Sequence, residues 1–209
     1  MSIGAVIFDL GGVLLRTTSQ EVRSRLEEEL GLAPGTLDER IWGTPDWKLA
    51  EVGAVTYDEY WKRLGASLGL STPEEISAFR EQYFSEDHVD QELVDLIGQL
   101  RSRYKIGLLS NAPDRLGDWL EENWQIEHLF DAVVYSADVG LAKPDPRIYH
   151  LVLSELEVKP HQSLFIDDTP ENVEAAVALG MKALPFTDTE TLKDELRRYV
   201  VWDSPEMGR

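Results

Sequence analysis

The stretch Ile3-Gly4-Ala5-Val6-Ile7-Phe8-Asp9-Leu10-Gly11-Gly12-Val13-Leu14 decides how this chain is read. Its first half is apolar, and a single acid, Asp9, ends the run just ahead of two glycines. A short apolar run bounded by glycine reads as a strand buried on both faces of a parallel sheet. Open α/β sheets bind their ligands beyond the carboxyl ends of such strands, which is where Asp9 falls. Glycines at that place let backbone N–H groups come close to a ligand. Taken alone, the pattern fits a turn-capping aspartate equally well.

Three later stretches add to it. Lys105-Ile106-Gly107-Leu108-Leu109-Ser110-Asn111 is a second apolar strand, ending in a hydroxyl and an amide. Lys143-Pro144-Asp145-Pro146 holds a lysine in a proline-stiffened loop. Ser163-Leu164-Phe165-Ile166-Asp167-Asp168 is a third apolar strand, ending in two acids. An acid, a small hydroxyl, a lysine and an acid pair, in that order, resemble the motif set of the haloacid dehalogenase (HAD) superfamily. The resemblance spans nearly the whole chain. Each motif is weak alone; the ordered set is specific. The segments around Phe8–Leu14, Leu109–Ala112, Ala142–Tyr149 and Phe165–Met181 look most similar to subfamily I, whose members carry a small helical cap after the first strand. Members with this FDLGGVL pattern are similar to sugar-phosphate phosphatases.

The resemblance implies roles for particular residues. Asp9 is the expected nucleophile, forming an aspartyl-phosphate that water later hydrolyses, with Lys143 as the second catalytic group. Asp9, Asp168 and the main-chain carbonyl of Gly11 are the expected Mg²⁺ ligands. Magnesium suits such a site because it accepts a few carboxylates and completes its shell with water and phosphate. Ser110, Asn111, Lys143 and the backbone N–H groups of Leu10 and Gly11 are the expected phosphate contacts. Asp167 and Asn172 are expected to orient the ligands from behind. Acids also favour helix N-termini on structural grounds, but the other three motifs weigh for the functional reading of Asp167-Asp168.

One position departs from the family pattern. Most HAD phosphatases carry a second aspartate two residues after the nucleophile, which protonates the leaving oxygen. Here that position is Gly11. General acid–base assistance is worth ~10²–10⁴-fold. Its loss leaves three openings: a cap residue or water supplies the proton, the substrate has a good leaving group, or turnover is slow or absent.

Composition narrows the field. At 209 residues and 43% hydrophobic content, the chain suits one sizeable core plus a small accessory unit. A net charge of −19 argues against nucleic acid or an anionic membrane as partner. It also means that an anionic substrate approaches against the protein's own field. There is no cysteine, so disulfides, thiolate ligands and a cysteine nucleophile are excluded. No secretory signal pattern and no membrane-length apolar run are present. A cytoplasmic protein is expected.

Along the chain, no strand is expected from about residue 15 to 100. Helix starts are read at Thr18-Ser19-Gln20-Glu21, Thr44-Pro45, Thr56-Tyr57-Asp58-Glu59 and Ser71-Thr72-Pro73. A helical insertion of about 80 residues is long for a simple crossover and reads as a cap. The expected division is a core of residues 1–14 and 91–209 around a cap of 15–90. From Asp90 onward strands and helices alternate, predicting a parallel, doubly wound, Rossmann-like α/β sheet. Helices are expected to start near Pro113, Pro146, Thr169 and Thr189, and a loose tail to follow from Val201 to Arg209. Glu27-Glu28-Glu29 reads as a solvated helix face. The six tryptophans read as packing residues, the four histidines are scattered, and Asp46-Trp47 lies in a cap segment that could face the site, with packing the favoured reading.

The leading expectation is a Mg²⁺-dependent phosphatase acting on a small phosphorylated metabolite such as a sugar phosphate. Two alternatives stay open. One is a 2-haloacid dehalogenase, which also uses an aspartate nucleophile but needs no metal. The other is a non-catalytic phosphate-binding regulatory protein.

Overall fold

The structure, a computed structural model, describes residues 2–202. Strand β1 (Ala5–Phe8) is completely buried. Its alternating side chains feed two cores: Val6 and Phe8 on one face, Ala5 and Ile7 on the other. A strand apolar on both faces belongs in the middle of a covered sheet, and β1 is there. The chain leaves it through β2 (Leu15–Thr17) and enters five helices: α1 (Glu21–Glu29), α2 (Leu37–Trp42), α3 (Pro45–Glu51), α4 (Tyr57–Ser67) and α5 (Pro73–Tyr83). It returns through β3 (Asp87–Val89) to α6 (Gln91–Leu100) and β4 (Lys105–Ser110). Next come α7 (Leu116–Asp118), which runs on into a π-helical turn at Trp119–Asn123, then β5 (Ala132–Tyr135), α8 (Ser136–Val139) and α9 (Pro146–Glu155). The chain closes with β6 (Ser163–Asp167), α10 (Pro170–Ala178), β7 (Lys182–Pro185) and α11 (Thr189–Leu196).

The main sheet has the order β5-β4-β1-β6-β7, and every pairing is parallel. Leu93, Leu96, Ile97 and Leu100 of α6 and Leu192 and Leu196 of α11 cover the Val6/Phe8 face. Ile148, Tyr149 and Val152 of α9 and Ala176 of α10 cover the Ala5/Ile7 face. This is the Rossmann-like, doubly wound α/β core, with a small helical cap built from α1–α5. The cap has its own apolar centre, which includes Leu26, Ile41, Tyr60, Trp61 and Tyr83. Thr44, Thr56 and Thr72 each accept a hydrogen bond from the backbone N–H three residues on, so these helix starts fall where the capping pattern predicts.

Several expectations need correction. Residues 15–100 do contain strands: β2 and β3 pair antiparallel, Leu15 opposite Val89 and Thr17 opposite Asp87. Three-residue strands are too short for alternation to be legible. This pair is held by polar contacts, Thr17 Oγ1 donating to Asp87 at 2.7 Å and Arg16 pairing with Asp90 at 3.1 Å. At α1 the N-cap is Gln20, without a side-chain cap bond; Ser19 Oγ instead accepts the Glu21 N–H at 3.0 Å. The helix expected near Pro113 starts three residues on, at Leu116. Glu27 is buried rather than solvated, and its carboxylate accepts the N–H groups of Gly35 at 2.9 Å and Leu37 at 2.8 Å. Backbone donors at the start of α2 therefore take the place of water. Of the expected tail, Val201 donates to the Tyr104 hydroxyl at 2.8 Å and Trp202 lies under Arg197, while 203–209 fall outside the described residues.

Candidate active site

The carboxyl ends of β1, β4 and β6 deliver Asp9, Ser110 and Asp167-Asp168 to one edge of the sheet. The loop ahead of α9 brings Lys143 beneath them. Lys143 is buried, and its ammonium donates to Asp9 Oδ1 at 2.8 Å, Asp167 Oδ2 at 2.6 Å and the Leu109 carbonyl at 3.0 Å. All three of its N–H groups are thereby used. Asn111 fastens the loop that carries it, donating to the Lys143 carbonyl at 2.9 Å and accepting the Lys143 N–H at 2.7 Å. The Leu10 N–H donates to Asp9 Oδ1 at 2.7 Å, so this donor is directed at the candidate nucleophile itself.

The two adjacent acids on β6 differ. Asp167 has no exposed surface, and it accepts from Lys143, from Asn172 Nδ2 at 3.1 Å and from the Thr169 N–H at 2.8 Å. Asp168 is exposed and takes a single side-chain contact, from Thr169 Oγ1 at 3.3 Å. Gly12, at φ +77°, crosses directly beside it, and a Cβ there would overlap the Asp168 carboxylate. Gly11 is different: a Cβ there would meet nothing within 4 Å.

Charge is crowded here. Burial pushes the Asp9 carboxyl up to about 7; Lys143 pulls it down and Asp167 adds to the rise. Partial loss of water around its carboxylate, then Asp167, also raises Asp168, exposed though the residue is. Burial works against the Lys143 charge, but Asp9 and Asp167 outweigh it and hold its pKa above the ordinary value. Oxygens of Asp9, Asp167 and Asp168 lie within 4.8 Å of one another. Three carboxylates face one ammonium, and all the donors are hard oxygens. That is the donor set of a hard divalent cation.

Two cavities meet at Gly11, Trp42, Ser110 and Asn111. The polar one, ≈ 520 Å³, holds Asp9, Lys143 and Asp168. The other, ≈ 460 Å³, is bounded by Trp42, Trp47, Tyr57, Phe84, Trp119 and Trp124. Reading the tryptophans as packing residues therefore missed three that bound the cavity, Trp42, Trp119 and Trp124, whereas Trp47 both packs in the cap core and reaches the cavity. Trp42, Trp119 and Trp124 are half-buried, whereas Trp61 is enclosed in the cap core. Of that cap segment Trp47 approaches the site but Asp46 does not, pairing with Arg63 at 3.0 Å. Lys48 and Glu51, a 2.9 Å ion pair on the same helix, face the polar cavity and were also missed. Their spacing of three places both on the helix face next to Trp47, which is the signal that identifies them.

A family described as haloacid dehalogenase-like hydrolase matches residues 3–180. The chain belongs to this family. Among relatives, "Sesquiterpene phosphatase astK" of Aspergillus oryzae is 31% identical over 94% of this chain and 96% of its own length. "Bifunctional epoxide hydrolase 2" of Sus scrofa is 28% identical over 95% of this chain, which spans only 39% of that protein. A HAD family enzyme from Bacteroides thetaiotaomicron, solved in complex with magnesium and inorganic phosphate, shares the fold with a TM-score of 0.73 at 24% identity, over 91% of this chain and 99% of that one. No helix among the described residues is long and apolar enough to cross a membrane.

Proposed function

We propose that this HAD-like hydrolase is a phosphatase that cleaves a phosphomonoester of a small organic molecule through an aspartyl-phosphate on Asp9. The observation that carries the reading is the division of labour among the acids. Lys143 bridges Asp9 and Asp167 from below, while Asp168 and the upper side of Asp9 face the polar cavity. The name of the Aspergillus relative supports phosphate-ester cleavage. Asp9, Asp168 and the Gly11 carbonyl would hold Mg²⁺, with Asp167 and Asn172 behind them; the ion would supply charge neutralisation for the phosphate oxygens.

In the first step an Asp9 carboxylate oxygen forms a bond to phosphorus as the ester P–O bond breaks. The leaving oxygen takes a proton from water, because Gly11 offers no side chain. In the second step water attacks the acyl phosphate, restoring Asp9 and releasing phosphate. Lys143 keeps Asp9 oriented throughout, and Ser110, buried at the end of β4, together with the Gly11 N–H, contacts the phosphate oxygens. Asn111 acts chiefly through its grip on the Lys143 loop.

The test is phosphate release from 4-nitrophenyl phosphate and acetyl phosphate with Mg²⁺ and with a chelator. Mg²⁺-dependent release is expected. Turnover that survives chelation, or halide release from 2-chloropropionate in place of phosphate release, overturns the reading.

A further inference from the structure

The second cavity is an unusual neighbour for a site that handles a dianion. It opens from the phosphate end at Gly11, Ser110 and Asn111 and runs between cap and core. Its walls are aromatic from both sides: Trp42, Trp47, Tyr57 and Phe84 from the cap, Trp119 and Trp124 from the core. The rings brace one another edge-on, Trp42 against Trp47 with centroids 4.5 Å apart and Tyr57 against Trp119 at 4.9 Å.

Much of the charged and hydrogen-bonding equipment beside this wall is committed within the protein. Trp42 Nε1 donates to the Tyr83 hydroxyl at 2.8 Å, and that hydroxyl donates to Asp38 at 2.7 Å. Arg23 donates to Thr17 at 2.8 Å, Asp87 at 2.9 Å and Asp38 at 3.1 Å. Thr17 in turn donates to Asp87. Among the described residues Arg23 Nε stays buried without a partner, and the remaining wall is mostly ring surface. A polyol entering this chamber would bring several hydroxyls and lose their water with little in return. An apolar body loses nothing, and its burial supplies binding energy against the repulsion that the protein's −19 charge exerts on a phosphate.

We propose that the group esterified to the phosphate is a bulky apolar one, an extended alkyl, isoprenoid or aryl chain, seated in this aromatic chamber, in place of the sugar that the sequence resemblance implies. The inference rests on the phosphatase reading for the position of the phosphate. A third cavity, of ≈ 300 Å³, shares Leu15, Tyr57, Phe84, Asp87, Trp119 and Trp124 with the chamber and carries Arg80, Glu81 and Arg115 on its walls. The path thus runs from charged cradle through apolar chamber to a polar mouth, and chain length is what it measures.

The experiment separates binding from turnover. n-Alkylphosphonates from butyl to decyl keep one head group and cannot be hydrolysed, so their Kd, read from tryptophan fluorescence in the full-length protein with Mg²⁺, reports the chamber alone. Affinity should rise at least tenfold from butyl to decyl, and a sorbitol- or glucose-linked phosphonate should bind no better than butyl. The matched n-alkyl phosphates share one leaving-group basicity, and their kcat/KM should climb in parallel. Trp119→Gln should shrink the decyl-to-butyl ratio at least fivefold; should that variant not fold, the wild-type series decides by itself. A flat series, or tighter binding of the polyol phosphonate, overturns the apolar assignment even if acetyl phosphate is hydrolysed. Rising affinity with no phosphate released from any ester supports the chamber and overturns the phosphatase reading instead.

Discussion

Asp9 and Glu27 are both buried carboxylates, and their surroundings treat charge in opposite ways. Asp9 sits in the core sheet among Asp167, Asp168 and Lys143, and burial drives its carboxyl up to about 7. Glu27 sits in the cap facing backbone N–H groups of Leu37 and Gly35, which hold its carboxyl below the ordinary glutamate value. Neutral amides ask nothing in return for their hydrogen bonds, whereas a crowd of acids competes for one ammonium. The difference separates two uses of a buried charge. At Glu27 it fastens the segment between α1 and α2. At Asp9 burial outweighs what Lys143 and the Leu10 N–H return, the kind of perturbation that clusters at functional sites.

If that contrast is right, the two acids dissociate under mutation. Asp9→Asn should cost roughly 10⁴-fold or more in kcat, the scale expected when a covalent nucleophile is lost. It should leave Tm close to wild type, because Lys143 keeps Asp167 and the Leu109 carbonyl. Parallel kinetics and thermal melts check this, and a variant that retains activity, or that unfolds, breaks the comparison.

Gly11→Asp sharpens it. Position 11 has open space and an ordinary backbone, so an added acid should fold there and raise kcat/KM for alkyl phosphomonoesters by about 10²-fold, since proton donation matters most when the leaving oxygen is basic. Acetyl phosphate, with its less basic leaving group, should gain far less. A plot of log kcat/KM against leaving-group pKa should be steep in the wild type and shallower in the variant. A shallow wild-type plot would mean that another group, with the Lys48–Glu51 pair the first to examine, already delivers the proton.

The smallest effect belongs to Glu27→Gln. It should lower stability by about 1–2 kcal/mol at neutral pH, the worth of hydrogen bonds to a charged acceptor, and leave kcat unchanged. The sign with pH follows from the depressed carboxyl. The Glu27 contribution is complete above the unfolded value near pH ~4.3 and drains away as pH falls through the folded one. The wild-type advantage in urea melts should therefore close below about pH 4. An advantage that grows on acidification would contradict the seat described for Glu27.

The sequence made the core legible and the cap opaque, for physical reasons. Apolar strands ending in Asp9, Ser110 and Asp167-Asp168 are buried on both faces, so they read as continuous runs, and their chemistry lies at fixed offsets from the strand ends. Threonine caps at 44, 56 and 72 were readable because capping is local in sequence. Glu27 was not, since its partners at 35 and 37 depend on how two helices meet. The aromatic chamber was hidden for the same reason: Trp42 and Trp119 lie far apart in sequence, and only docking of the cap makes them one wall. Strands β2 and β3 are not legible because three residues are too few to establish an alternation.

That last pair has a wider consequence. Leu15 and Val89 face each other across β2 and β3, so the chain leaves the core and re-enters it at one spot. Everything between is, in topological terms, a single graft on a closed stem. A tight turn of a few residues would span the gap that the whole cap now occupies, and a different insert could be mounted on the same stem without disturbing β1, β4 or β6. Reactivity and selectivity are then inherited as separate parts. The sheet edge passes on the bond-breaking apparatus, and the insert can be exchanged, enlarged or re-lined to admit a new class of molecule.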